Sequence, residues 1–292
     1  MHCCVCIGKG AGTLEEQKGL QSISENVSLF LSEQNIHKEV VVIERYLQKI
    51  PKCDFVFNLC DNHEGYPDSF IFFTEYLEQL QIPYTGNKSS CFKKCYDKFL
   101  WSNKDKLKDF LPERGCTVSE GVFFSGILKH RYFHGSLYPI KKFNSITEGN
   151  VYPLLQTGNY FYETFIPGKE VTVSVLPKKG YAIGEQKQLQ DSILNFENKW
   201  HQSPEIIKPS LTKESINDIE KIIKIVQQEF DITSYMRLDL RIDKHKRVFL
   251  IDINPNCSLD PSGSFSRVFS LYNVTYNEIL SEITSNFQGT YL

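Results

Sequence analysis

Between Met236 and Asp260 the chain gathers residue types suited to holding a metal ion together with phosphate. Arg237, Asp239 and Arg241 alternate with Leu238, Leu240 and Ile242, which puts the polar set on one face of a strand. A polar stretch, Asp243 to Arg247, reads as a hairpin loop. Val248 to Ile253 reads as the returning strand, its apolar run broken by Asp252, with Asn254 on the same face. Once paired, the two strands would bring Asp239, Asp252 and Asn254 to one point. Three hard oxygen donors beside arginines suit Mg²⁺ (or Mn²⁺) bound with a phosphate. The plainer alternative is the solvated face of an ordinary antiparallel hairpin.

These residues need a scaffold, and the sequence supplies an α/β one. An apolar strand from His2 to Ile7 runs into Gly8-Lys-Gly-Ala-Gly12 and then a helix over Leu14 to Glu33. Strands over Glu39 to Ile43 and Asp54 to Leu59 follow, a β-α-β opening that predicts a parallel sheet. The glycine-rich turn lacks the Gly-x-Gly-x-x-Gly spacing and acidic partner of a dinucleotide site. It remains either a tight turn or a place for an anionic group at a helix N-terminus. Helices are expected over Ser69 to Leu80 and Ser90 to Trp101. The 150–160 segment, with Pro153 and Gly158, shows no helical period. Strands on either side of Pro167-Gly168 suggest a hairpin turn there. Thr212 to Phe230 is an amphipathic helix with an N-cap threonine. The stretch Leu259 to Ser266 reads as a loop before a last helix near Tyr276 to Asn286.

Composition narrows the classes. At 292 residues the chain can bury a large core, and 41% hydrophobic with 23% charged residues is ordinary for a globular protein. A net charge of −2, with 33 scattered Lys and Arg, argues against a nucleic-acid partner. No apolar run approaches the ~20 residues of a membrane helix, and no secretory leader is visible. Nine cysteines, an odd number, fit reduced thiols and a cytoplasmic setting. Cys91 and Cys95 have helical spacing but lack the second pair a zinc site needs.

Arg-Leu-Asp-Leu (237–240) followed by Ile-Asp-Ile-Asn-Pro-Asn (251–256) resembles the metal signature of the ATP-grasp superfamily, most closely D-alanine–D-alanine ligases and their relatives. Further blocks occur in the family's order. Phe55-Val-Phe-Asn-Leu59, His63-Glu-Gly65 and Gln81-Ile-Pro-Tyr-Thr-Gly86 look like its N-terminal domain, which makes Asn58, His63 and Glu64 candidate substrate contacts. Asp97-Lys98 and the Tyr138-Pro-Ile-Lys-Lys-Phe143 strand resemble its phosphate-binding positions; Lys98 and Lys142 are the lysines so implied, with Lys141 competing for the second role. Residues 144–150 would be the small-residue loop over the phosphates. Tyr160-Phe-Tyr-Glu-Thr-Phe-Ile-Pro-Gly-Lys-Glu170 resembles the nucleotide-binding segment. It implies that Glu163, Thr164, Phe165 and Ile166 line the adenine slot and that Glu170 bonds the ribose. Phe196-Glu-Asn-Lys-Trp200 implies Lys199 as a phosphate-side lysine. Gly263 and Ser264 would donate to the reacting carboxylate.

The resemblance implies an ATP-grasp fold in three lobes: an N-terminal α/β domain (1–88), a lid (89–160) and a C-terminal antiparallel lobe (161–292). It implies an ATP- and Mg²⁺-dependent ligase that joins a carboxylate to an amine through an acylphosphate, acting on an amino acid or small peptide. A homodimer through the N-terminal lobe would be family-like. The direct passage from Asn150 to Tyr160 departs from the pattern, because relatives insert an amphipathic helix there. A trimmed lid would cover ATP poorly. Two other classes therefore stay open: a nucleotide- or amino-acid-binding protein without turnover, and a phosphotransferase on the same scaffold.

Overall fold

Strand β1 (His2–Gly8) is buried on both faces, which is why its sequence is a continuous run of Cys, Val and Ile without polar alternation. It lies between β2 (His37–Ile43) and β3 (Phe55–Leu59), and both pairings are parallel. The computed structural model describes residues 1–9, 14–44, 48–60, 68–117, 126–132, 141–144, 151–187 and 205–288. One face of the β1–β3 sheet meets the helix Leu14–Glu33 through Ile23, Val27, Phe30 and Leu31. The same core includes Phe265, Val268, Ile279 and Ile283, so the two ends of the chain share it. The other face packs on the helix Ser69–Gln79 through Phe73 and Leu77. The β-α-β expectation holds.

The middle of the chain forms a four-stranded antiparallel sheet of order β4-β7-β5-β6. Its strands are β4 (Arg114–Gly115), β5 (Gly126–His130), β6 (Lys141–Phe143) and β7 (Tyr160–Thr164). A helix, Val151–Gln156, covers one face, with Val151 and Leu155 buried against Leu128 and Phe143. The expectation of no helix before Tyr160 is thus corrected. Two turns are too short to show a period, and Pro153 falls in the first turn, where its missing N–H is tolerated.

The C-terminal sheet is antiparallel, of order β10-β9-β8-β11-β12. It comprises β8 (Lys169–Leu176), β9 (Gly180–Lys187), β10 (Glu205–Ile207), β11 (Met236–Ile242) and β12 (Val248–Asn254). The helix Lys213–Glu229 buries Ile219, Ile222, Ile223 and Val226 against it. Thr212 caps that helix by accepting from the Ser215 N–H at 3.2 Å.

Three further expectations change. The helix expected to reach Trp101 stops at Tyr96, and Asp97 starts a 3-10 helix, Lys98–Asn103, by accepting from the Phe99 N–H. Pro167-Gly168 is not a hairpin turn, because β7 and β8 belong to different sheets and the segment crosses from the four-stranded sheet to the five-stranded one. The 259–266 stretch is not all loop: Ser264–Ser270 is helical, with Gly263 as its N-cap.

Candidate active site

The β11–β12 hairpin forms as its alternation predicts. Asp239 stands directly opposite Asp252, and Arg237 opposite Asn254, with a bulge just after Asp239. The Asn254 amide nitrogen lies 3.3 Å from Oδ2 of Asp239 and 3.3 Å from Oδ2 of Asp252, so the three side chains meet at one point. The Arg237 guanidinium forks onto Asp239 at 3.1 and 2.9 Å and reaches the Ser264 hydroxyl at 3.2 Å. Burial opposes charge on Arg237, but Asp239, Cys257 and Asp252 together outweigh it and raise the arginine's pKa. Behind Asp239, the Thr172 hydroxyl donates to it at 3.3 Å and accepts from the Gln186 amide at 2.7 Å. Asp239 accepts only, which fixes the direction of this chain.

From the opposite side the Lys98 ammonium reaches Oδ1 of Asp252 at 2.9 Å. Lys98 and Arg237 thus supply the positive charge that the carboxylate pair needs. A divalent cation would find two carboxylates and, with the Asn254 amide turned over, a third oxygen. The donor set fits Mg²⁺.

The lid sheet turns a cationic face to this cluster. Register places Arg114, Lys129 and Lys142 on one face with Glu163 and Phe161. Lys129 donates to the Ile251 carbonyl at 2.9 Å, next to Asp252. Glu163 is 2% exposed and paired with both Arg114 and Lys129. Its carboxylate therefore organises the lid cations. Phe165 lies under two cations, the Lys142 ammonium 4.1 Å and the Arg241 guanidinium 5.1 Å from its centroid. Arg241 also holds Glu170 at 2.9 Å and the Ile166 carbonyl at 3.2 Å. The Thr164 N–H donates to the Glu113 backbone carbonyl at 2.8 Å.

Of the residues singled out from sequence, Asp239, Asp252, Asn254, Arg237, Ser264 and Lys98 come together in one cluster. Gly263 is adjacent as helix cap. Phe165, Ile166, Glu170 and Lys142 form a second group around Arg241. Asn58 is buried at the end of β3, and its side chain accepts from the Cys60 N–H at 3.0 Å, a local turn contact. His63, Glu64 and Lys199 lie outside the described residues. Sequence reasoning missed Lys129 and Arg114. The signal for Lys129 was a lysine inside an apolar strand, Ile127-Leu-Lys129, and it went unused.

A polar cluster on one antiparallel sheet thus faces the cationic side of a second, with a parallel α/β sheet beside them. Residues 152–285 match the family described as D-ala D-ala ligase C-terminus. Three solved structures share the fold over nearly the whole length. D-alanine–D-alanine ligase from Bacillus anthracis, complexed with ATP, aligns with a TM-score of 0.75 at 17% identity over 98% of this chain and 96% of that one. D-alanyl-alanine synthetase A from Vibrio cholerae O1 biovar eltor str. N16961 gives 0.77 at 16%, covering 98% of each. The VanG D-Ala:D-Ser ligase from Enterococcus faecalis gives 0.72 at 13%, covering 98% of this chain and 99% of that one. The chain has the ATP-grasp fold of these ligases.

Proposed function

We propose that the protein is an ATP-dependent ligase joining a carboxylate to an amine, with an amino acid or small peptide as substrate. The observation that carries this is the convergence of Asp239, Asp252 and Asn254 beneath Lys98. In the first step a substrate carboxylate attacks the γ-phosphate of ATP, forming an acylphosphate and releasing ADP. In the second an amine attacks the acyl carbon, forming the amide and releasing phosphate. Mg²⁺ on Asp239, Asp252 and Asn254 would neutralise phosphate charge. Lys98 and the lid lysines bind the phosphates, while Arg237 and Ser264 hold the reacting carboxylate. Catalysis on this reading is positioning and charge stabilisation.

The contact of Lys129 with Ile251 supports it, ahead of Lys142, as the lid lysine closest to the phosphates. Phe165 and Ile166 form the base slot and Glu170 meets the ribose. Lys199 joins the phosphate side, and His63 and Glu64 the amino-acid side, in the same reading. A division into three lobes belongs to it too, the first over 1–88 and the second boundary falling after β7, near Pro167-Gly168, rather than at 160/161. None of the nine thiols is in a disulfide, which supports a reducing, cytosolic setting. Among the described residues no helix is long and apolar enough to cross a membrane. β2 ends its sheet with Val40 and Val42 exposed, which supports a homodimer through the N-terminal lobe.

A second reading, nucleotide binding without turnover, is favoured by one observation: Arg241 already engages Glu170. Phosphate release from Mg·ATP, measured against single amino acids and their pairwise mixtures with mass spectrometry of products, separates the two. A new amide, lost in Asp252→Ala, supports the ligase. ATP binding with no product in any mixture supports the second reading.

A further inference from the structure

The backbone of Lys98 is gripped at both ends by lid residues. Its N–H donates to the Arg131 carbonyl at 3.0 Å, and its carbonyl accepts from Nη1 of Arg114 at 2.9 Å. The preceding Asp97 is clamped by the Arg131 guanidinium, with Nε at 3.0 Å. From this anchored peptide the side chain extends the other way, to Asp252.

Arg114 is unusual in its burial. Its side chain is 3% exposed, its other arm pairs with the 2%-exposed Glu163, and its guanidinium lies 5.5 Å from the Phe161 ring and 5.9 Å from Trp101. Its Nε is buried with no hydrogen-bond partner among the described residues. Such a group is a poor device for stability, because well-packed apolar residues often serve as well as a buried ion pair. What an arginine supplies and an apolar side chain does not is two N–H arms in fixed relative directions. Here one arm is on the lid carboxylate and the other on the Lys98 peptide.

We propose that Arg114 is a positioning residue that aims the Lys98 ammonium at the nucleotide phosphates, an inference that rests on the ATP-binding reading above. Arg114 itself touches no phosphate. It fixes the peptide from which Lys98 reaches, and through Glu163 it ties that peptide to Lys129. Two phosphate-side ammonium groups are thereby held at a set spacing on one rigid lid.

The test is calorimetric titration of the full chain with Mg·ATP and, separately, with adenosine. It compares wild type, Arg114→Met, Lys98→Met and the double variant. Arg114→Met is expected to weaken ATP binding about tenfold, the scale of a charge-assisted hydrogen bond, and to leave adenosine binding unchanged. In the Lys98→Met background the same substitution is expected to have no further effect on ATP. Arg114→Lys keeps a charge against Glu163 but lacks the second arm, so it should show the same pattern and covers the case that Arg114→Met does not fold. Losses that add to those of Lys98→Met, equal losses for adenosine, or an Arg114→Lys that binds ATP like wild type would each overturn the role. A wild-type protein that binds no ATP would overturn the nucleotide reading and this inference together, whereas ATP binding with additive losses overturns this inference alone.

Discussion

The Lys98 ammonium lies 2.9 Å from Oδ1 of Asp252, a residue 154 positions further along the chain. An ammonium in that place neutralises one of the two carboxylates and competes with any cation they would bind. Lys98 would leave Asp252 when phosphate oxygens arrive to take its charge. Replacing it with methionine removes the competitor and the phosphate ligand together, so its two consequences run in opposite directions. Lys98→Met should bind Mn²⁺ more tightly than wild type without nucleotide, read by electron paramagnetic resonance. Its ATP-dependent phosphate release should fall by roughly 10²–10³, as for loss of one preorganised charge-stabilising group. Unchanged Mn²⁺ affinity would mean that Lys98 does not compete for Asp252.

Gly168 marks the crossing from lid to C-terminal sheet. Its φ is +146°, and a Cβ there would stand 2.0 Å from the Ile242 carbonyl oxygen, a backbone atom of β11 that cannot swing aside. Gly168→Ala is therefore both conformationally strained and in collision with the strand that carries Asp239. A loss of more than about 2 kcal/mol of stability is expected, measured by urea unfolding. A variant within 0.5 kcal/mol of wild type, roughly the range of neutral surface changes, would show that the crossing is not held this tightly.

What the sequence made legible, and what it did not, follows from the range of each signal. The β11–β12 hairpin was readable because period-two alternation is local and its loop lies between the strands. The helix Lys213–Glu229 was readable from its apolar stripe and its threonine cap. Arg114 and Lys129 were not, because their meaning depends on both meeting Glu163, 49 residues beyond Arg114, and that follows from the register of β4, β5 and β7. Glu163 was singled out from the sequence as part of a base slot. The structure shows a buried carboxylate holding two cations. The apparent hairpin at 167–168 failed for a related reason: strands adjacent in sequence usually pair, and here a lobe boundary falls between them.

Arg241 and Glu170 form a pair with side chains 7% and 11% exposed. Removing one partner leaves the other charge poorly solvated, which destabilises by about 3–5 kcal/mol in buried pairs. Arg241→Met should accordingly lower stability on that scale, and adding Glu170→Gln should restore most of the loss. Urea unfolding of the two single variants and the double gives the coupling. Additive losses would mean that the two charges do not depend on one another, and that Arg241 is held chiefly by Ile166 and Phe165.

His130 makes the lid sensitive to acid. Burial, reinforced by the positive charge of Lys98, lowers its pKa below the ordinary 6.5. Its Nδ1 accepts from the Tyr132 N–H at 3.2 Å, a bond available only to the neutral ring, and the ring packs edge-on to Tyr160 at 4.8 Å. The unfolded chain protonates His130 near its ordinary pKa, and the folded chain at lower pH. Between those values the unfolded state holds more protons, so stability rises with pH. The contribution is fully present above about pH 6.5 and is lost as pH falls through the folded pKa. Wild type should therefore lose stability more steeply than His130→Asn over the acid side of that range, measured as urea midpoints at successive pH values. Parallel curves for the two proteins would show that His130 takes up its proton equally well folded and unfolded.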